Sequence, residues 1–186
     1  MSTSAEQPDV QLQTRLGLVT IRAAVPSDAA ELRTMRLEAL EHSSFAFGTD
    51  VDTAAQEPVE AWAERIARYA STGEGEIEVA VCGDAYLGMF GITRGIKLKV
   101  RHNAWIWGAY VREAWRGLHI GEALLNACVA WARAQGLAIV KLGVAAINTP
   151  AIRCYTRCGF AVYGLEPKAN LDKGVYIDEL LMAREL

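Results

Sequence analysis

The chain has 186 residues, 52% of them hydrophobic, with 19 basic and 22 acidic side chains and a formal net charge of -3. One compact domain is the default at this length, and the apolar fraction excludes a disordered chain. The balance lacks the clustered cations of a nucleic-acid footprint, no stretch approaches the roughly 18 apolar residues of a membrane span, and no basic patch followed by an apolar run marks a secretion signal. A soluble cytoplasmic protein with no nucleic-acid or membrane partner is expected.

In chain order, residues 1–16 are polar and aperiodic and are expected to form a flexible tail, with a single domain over 17–186. Leu18 to Ala23 is a short strand. Pro26-Ser27 opens a helix with Ser27 as the expected N-cap and an apolar stripe of Leu32, Met35, Ala39 and Leu40. Ser43 to Glu57 is a loop that carries Phe45-Ala46-Phe47-Gly48. Pro58 starts a second helix through Trp62, Ile66 and Tyr69. Glu76 to Cys82 and Ala85 to Thr93 flank Gly83-Asp84, a hairpin signal. The basic run from Arg94 to Arg101, with Lys97 and Lys99, reads as a solvated turn. His102 to Val111 is a strand with Trp105, Trp107, Ala109 and Val111 expected on one face.

Ile120, Leu124, Ala127, Cys128 and Trp131 form the clearest helical stripe, ended by Gly136. Ala138 to Val144 is a nearly continuous apolar strand, expected to be central. Thr149-Pro150 opens another helix that Gly159 ends, and Phe160 to Gly164 and Val175 to Met182 are the last strands. The expected order is βααβββαβαββ, an α/β domain on a mixed, mostly antiparallel sheet. The four cysteines, Cys82, Cys128, Cys154 and Cys158, read as small apolar residues of a reduced protein rather than as a disulfide or metal framework.

The chemistry lies in a strand-turn-helix passage, Tyr110-Val111 through Arg116-Gly117-Leu118-His119-Ile120-Gly121 into Glu122-Ala123. A helix N-terminus offers unpaired N–H groups and partial positive charge, so it binds anions. The dinucleotide fingerprint fails here, since only two glycines sit in the turn and Lys141 stands where an acid is needed. A Walker A loop fails for want of Gly-Lys-Ser/Thr.

The turn resembles the acyl-CoA loop of the GNAT superfamily, Arg/Gln-x-x-Gly-x-Gly/Ala opening a helix after a strand, with His119 in place of the middle glycine. A side chain at that position calls for a negative φ, with which the His119 amide still faces phosphate. Asn148-Thr149-Pro150-Ala151-Ile152-Arg153-Cys154-Tyr155-Thr156-Arg157-Cys158-Gly159-Phe160 is similar to the family's Asn-x-x-Ala-x-x-x-Tyr-x-x-x-Gly-Phe at every defined position.

The resemblance implies the GNAT acyl-CoA N-acyltransferase fold and an N-acetyltransferase moving the acetyl group of acetyl-CoA to a primary amine of a small molecule or protein. It implies that the turn from Arg116 through Gly117, Leu118, His119, Ile120, Gly121, Glu122 and Ala123 holds CoA pyrophosphate. Pantetheine would lie along Tyr110 and Val111, with Asn148, Ala151 and Tyr155 also on CoA, and Tyr155 would protonate the leaving sulfur. No metal is implied, and the assembly would be a monomer or homodimer. Read without the family, Arg116 is a surface residue, Tyr155 a core tyrosine and Asn148 a helix cap. Glu38, Glu78, His102 or a water chain could serve as base. An acyl-CoA-binding sensor without turnover is the alternative. The acidic residues Asp50, Asp52, Glu57, Glu60 and Glu64 could attract a cationic amine or could simply face solvent.

Overall fold

The computed structural model describes residues 8–186. Residues 1–7 of the expected tail lie outside the described residues. The rest of that tail is a strand: β1 (Val10–Thr14) pairs antiparallel with β2 (Gly17–Ala23), register Val10↔Ile21 to Thr14↔Gly17. Alternation over five polar-rich residues was too weak to read locally, and the partner strand supplies the pairing.

Pro26 to Asp28 form a 3-10 turn that leads into α1 (Ala29–His42). The expected cap Ser27 does not act. Asp28 stands at the N-cap of α1 without bonding a helix amide, and its carboxylate instead accepts the Val25 amide at 2.8 Å and both terminal nitrogens of Arg22 at 2.7 and 3.0 Å. Burial tends to raise the Asp28 pKa, but Arg22, the Tyr86 hydroxyl and the Val25 amide together hold it below its ordinary value. The expected loop after α1 contains a one-turn helix, α2 (Val51–Ala55), capped by Asp50, whose carboxylate accepts the Thr53 amide and hydroxyl, each at 2.8 Å. Helix α3 (Val59–Thr72) buries the predicted Trp62, Ile66 and Tyr69.

Strands β3 (Gly75–Cys82), β4 (Ala85–Arg94) and β5 (Asn103–Val111) continue the antiparallel sheet, with Lys97 and Lys99 on the exposed β4–β5 connection. Then follow α4 (Ile120–Ala134), β6 (Ile139–Ala145), α5 (Thr149–Arg157), β7 (Ala161–Asp172) and β8 (Val175–Glu185). The last hairpin is longer than its apolar spacing suggested, because β7 and β8 remain paired out to Asp172↔Val175. The described sheet has eight strands in the order β1-β2-β3-β4-β5-β6-β8-β7, with β5 and β6 the parallel pair. Helix α4 makes the crossover a parallel pair requires.

Each face of the sheet has its own core. Leu124, Leu125, Cys128 and Trp131 of α4 pack on Ile92, Ala104, Val140 and Leu142. On the other face Leu32, Met35, Trp62 and Ile66 of α1 and α3 pack on Ile77, Val79 and Met89. A leucine sealed this way contributes about 1.5–3 kcal/mol.

One feature of β5 departs from simple alternation. Gly108 has φ +63° and the β4–β5 register slips between Met89 and Gly91. The bulge puts Ala109 and Val111 against the α4 core, while Trp107 and Tyr110 belong with the α1/α3 core. The expected single face of Trp105, Trp107, Ala109 and Val111 is therefore split, because one inserted residue reverses the order of side chains beyond it. In α4, the predicted stripe is buried throughout.

Candidate functional site

Beyond the bulge β5 and β6 part. Their parallel ladder holds for three residue pairs, Asn103↔Ile139, Ala104↔Val140 and Trp105↔Lys141, beyond which β6 keeps only β8, its partner along its whole other side. The C-terminal half of β5 thus presents a row of backbone N–H and C=O groups with no strand beside it, ready to bond an extended ligand. A cleft of 860 Å³ opens there. Of the thirteen residues read from sequence as CoA contacts, eleven line it: Tyr110, Val111, Arg116, Gly117, His119, Ile120, Gly121, Glu122, Asn148, Ala151 and Tyr155. The other two stand behind its wall. Leu118 packs against the α4-side core, and the Ala123 amide already donates to the His119 carbonyl at 3.0 Å.

The turn before α4 presents the donors of an anion site. Among the described residues, no amide from Gly117 to Glu122 finds a backbone acceptor. Arg116 is anchored, its Nε donating to the Val111 carbonyl at 2.9 Å and its guanidinium 5.9 Å from the Tyr110 ring centroid. Gly121 faces the cleft between helix and strand: a Cβ there would stand 3.6 Å from Cys154 Sγ and 3.8 Å from Val111 Cγ2.

His119 corrects the sequence reading. It adopts φ +61°, ψ +10°, the left-handed conformation of the glycine it replaces, not a negative φ. The loop geometry is retained with a side chain on it. That side chain points to Glu122, with Nδ1 3.1 Å from Oε1, and Arg157 reaches the same oxygen at 2.6 and 2.8 Å. Burial tends to raise the Glu122 pKa, but these partners hold it below the ordinary carboxylate value. A cationic partner thus offsets a carboxylate placed where phosphate would sit.

At the far side of the cleft Asn148 caps α5, its side chain accepting the Ala151 amide at 3.3 Å. Tyr155, 8% exposed, lines the cleft from α5, and its hydroxyl has no hydrogen-bond partner among the described residues. Burial, and then the neighbouring Cys154 and Cys158, push its pKa well above that of a free phenol, so it is protonated at any ordinary pH.

None of the three side chains considered as base lines the cleft. Glu38 is engaged by Arg112 through two hydrogen bonds of 2.8 Å. Glu78 is 1% exposed on the α4 side of the sheet, beside Glu76. His102 is exposed and precedes β5, at the end of the strand opposite the opening. Sequence reasoning also left the roof unassigned. Phe45 and Phe47, singled out only as an exposed-looking run, close the cleft from the α1–α2 connection.

Residues 37–160 match the acetyltransferase (GNAT) family. The L-methionine sulfoximine/L-methionine sulfone acetyltransferases of Pseudomonas aeruginosa and Pseudomonas paraeruginosa are 31% identical over 106 residues, a match covering 57% of this chain and 59% of theirs. Among solved structures, a GNAT-family acetyltransferase from Streptococcus pneumoniae superposes with a TM-score of 0.82 at 26% identity, over 90% of this chain and 99% of that one. A putative acetyltransferase from Salmonella typhimurium, solved with its cofactor acetyl-CoA, gives 0.77 at 22% identity over 90% and 94%. A twisted sheet opened between two parallel strands, with an amide-rich turn at the mouth of the opening, defines this class of α/β domain. The chain belongs to the GNAT family of acetyltransferases.

Among the described residues, no helix is long and apolar enough to cross a membrane, and no cluster of side chains is arranged to hold a metal ion.

Proposed function

We propose that this protein transfers the acetyl group of acetyl-CoA to a primary amine by direct attack in a ternary complex. The observation that carries the reading is the opening between β5 and β6, which joins unpaired strand backbone, the amide-rich turn and Tyr155 in one cleft. Pyrophosphate sits on the amides from Gly117 to Glu122 with Arg116 alongside. Pantetheine adds to the free edge of β5 at Tyr110 and Val111 and passes Gly121, Asn148 and Ala151. An unpaired N–H of that edge donates to the thioester oxygen as it gains charge, a preorganised donor of the kind that dominates acyl-transfer catalysis.

The neutral amine attacks the carbonyl carbon and forms the C–N bond, and the carbonyl π pair moves to oxygen. Collapse breaks the C–S bond, the sulfur leaves with its electron pair, and the Tyr155 hydroxyl supplies its proton. The nitrogen gives up its surplus proton to water, and solvent returns a proton to the Tyr155 phenolate. Burial raises the pKa of the phenol, so its proton is in place when the sulfur leaves. The curated relatives act on methionine sulfoximine and methionine sulfone, which favours a small-molecule acceptor.

The left-handed His119 keeps the turn in shape without the glycine, which serves CoA binding under either reading, and it is Tyr155 in the same cleft that favours turnover over a binding-only sensor. Titration calorimetry with acetyl-CoA, paired with thiol release over a panel of amines, tests the reading. Micromolar binding with turnover is expected. Tight binding with no turnover on any amine would favour the sensor.

A further inference from the structure

The α1/α3 face of the sheet holds a second cavity, of 540 Å³, walled by α1, α2, α3 and β5. It adjoins the acetyl cleft through Phe47. That ring lines the cleft, and the Arg36 guanidinium stacks 4.7 Å from its centroid on the cavity side. Along β5, Trp107 lines the cavity and Ala109 the cleft.

The arginines of α1 and α3 separate into two kinds. Arg33 donates to the carbonyls of Ala55 and Glu57, each at 2.7 Å. Arg65 is paired with Glu57 while stacking on Trp62 and Trp107, and Arg68 is paired with Glu74. Arg36 is different. Its Nη1 is buried and, among the described residues, has no hydrogen-bond partner. The indole Nε1 of Trp107 is buried and unpartnered as well. Two orphaned donors lining one cavity are costly unless an acceptor completes them.

The charges agree with the donors. Arg36 and Arg65 face the single carboxylate of Glu57, leaving one positive charge in excess. Burial, with Arg65 adding to it and Glu57 opposing it, draws the Arg36 pKa below its ordinary value, the mark of a cation short of an anion. A guanidinium fork suits a carboxylate.

We infer that this cavity is the anion subsite of the acceptor, in which Arg36 and the Trp107 indole hold the carboxylate of a small amino acid whose α-amine reaches the thioester beside Ala109. The inference rests on the acetyl-transfer reading above and narrows its substrate class. It gives the acidic residues Asp50, Asp52, Glu57, Glu60 and Glu64, which could attract a cationic amine or simply face solvent, no part in holding the acceptor. Of those five residues only Glu57 reaches the cavity, and it is neutralised by Arg65.

The test is calorimetric, on the protein saturated with CoA. Alanine is compared with ethylamine, leucine with isoamylamine and phenylalanine with phenethylamine, so that each pair differs only in the carboxylate. At least one amino acid is expected to bind tenfold or more tighter than its decarboxylated partner. In Arg36→Gln that ratio should fall below threefold, and in Trp107→Phe, which keeps the ring and loses the N–H, it should fall severalfold. The CoA dissociation constant, measured separately, reports that each variant is folded. Equal binding within every pair, binding of no amino acid, or a ratio that survives Arg36→Gln would overturn the subsite. Carboxylate-dependent binding with no acetyl transfer from acetyl-CoA would leave the subsite standing and remove the catalytic reading instead.

Discussion

The two halves of the site are built from different materials. The donor half, from β5 through α5, presents backbone: unpaired amides at the start of α4, an open strand edge, and glycines where a ligand must come close. The acceptor half, from α1 to α3 with Trp107 of β5, presents side chains, with Arg36, Phe47, Arg65 and Trp107 brought together from four separate stretches of chain. Recognition by backbone needs a local conformation and so leaves a short signature in sequence. Recognition by side chains needs a tertiary structure to assemble it and leaves none. If this division is right, changes on the donor side matter when they fill space or remove the reacting proton, and matter little when they remove a surface side chain.

The largest effect belongs to the one donor-side side chain with a chemical task. Tyr155→Phe keeps the ring in the core and deletes the proton donor. Turnover on the best amine should fall by roughly 10² to 10⁴, the range of general acid–base catalysis, with the acetyl-CoA dissociation constant little changed. Parent-level turnover with chemistry limiting would make Tyr155 a packing residue and reduce the donor half to backbone alone.

Glu78 tests whether any catalytic group lies outside both halves. Burial, then the hydrogen bond and charge of Glu76, with Asp9 adding a little, raise its pKa to about 9 from an ordinary 4.5. Below pH 4.5 folded and unfolded chains both hold this proton. Between 4.5 and 9 only the folded chain does, so unfolding releases it and stability declines as pH rises, by at most about 1.4 kcal/mol per pH unit. The melting temperature should therefore drop from pH 5 to pH 9, and Glu78→Gln should flatten the drop while keeping turnover. Unaltered slopes would deny the raised pKa, and lost turnover in a folded variant would make Glu78 catalytic.

Gly121 probes backbone space. A methyl there meets only ordinary contacts, so Gly121→Ala should be tolerated. Gly121→Val adds two methyls toward Val111 and Cys154, in the path assigned to CoA. It should weaken acetyl-CoA binding at least tenfold, about 1.4 kcal/mol. An unchanged dissociation constant for folded Gly121→Val would move the ligand away from this turn.

The legibility of the sequence follows the same division. The α4 stripe and the cap at Asn148 could be read because helix periodicity and capping are local, and the run from Asn148 to Phe160 through its resemblance to the family's segment. β1 could not, because its five residues become a strand only against β2. The bulge at Gly108 was hidden because the residues around it alternate acceptably in either register, and only pairing with β4 shows the slip. Arg36 carried no signal. It lies beside Met35 in an ordinary amphipathic stripe, and its isolation depends on Arg33 and Arg65 having already taken the nearby acceptors. Glu38 looked free for the same reason, since Arg112 lies 74 residues away in sequence.

The smallest effect bears most directly on whether the donor half needs its side chains. At φ +61°, His119 occupies a conformation that costs a non-glycine residue about 1–2 kcal/mol. Glycine would remove that strain but would lose more chain entropy on folding, roughly 0.5–1 kcal/mol. The lost contact to Glu122 adds little, because the imidazole is 68% exposed and Glu122 keeps Arg157. His119→Gly should therefore raise stability, by at most about 1.5 kcal/mol, read as a higher urea midpoint with an unchanged slope. His119→Val, whose β-branch fits the left-handed region poorly, should lower the midpoint. The opposite order would mean that the imidazole, through Glu122 and Arg157, holds the turn in shape. A side chain would then be setting the backbone geometry on which the donor half depends, and the contrast between the two halves would fail at that point.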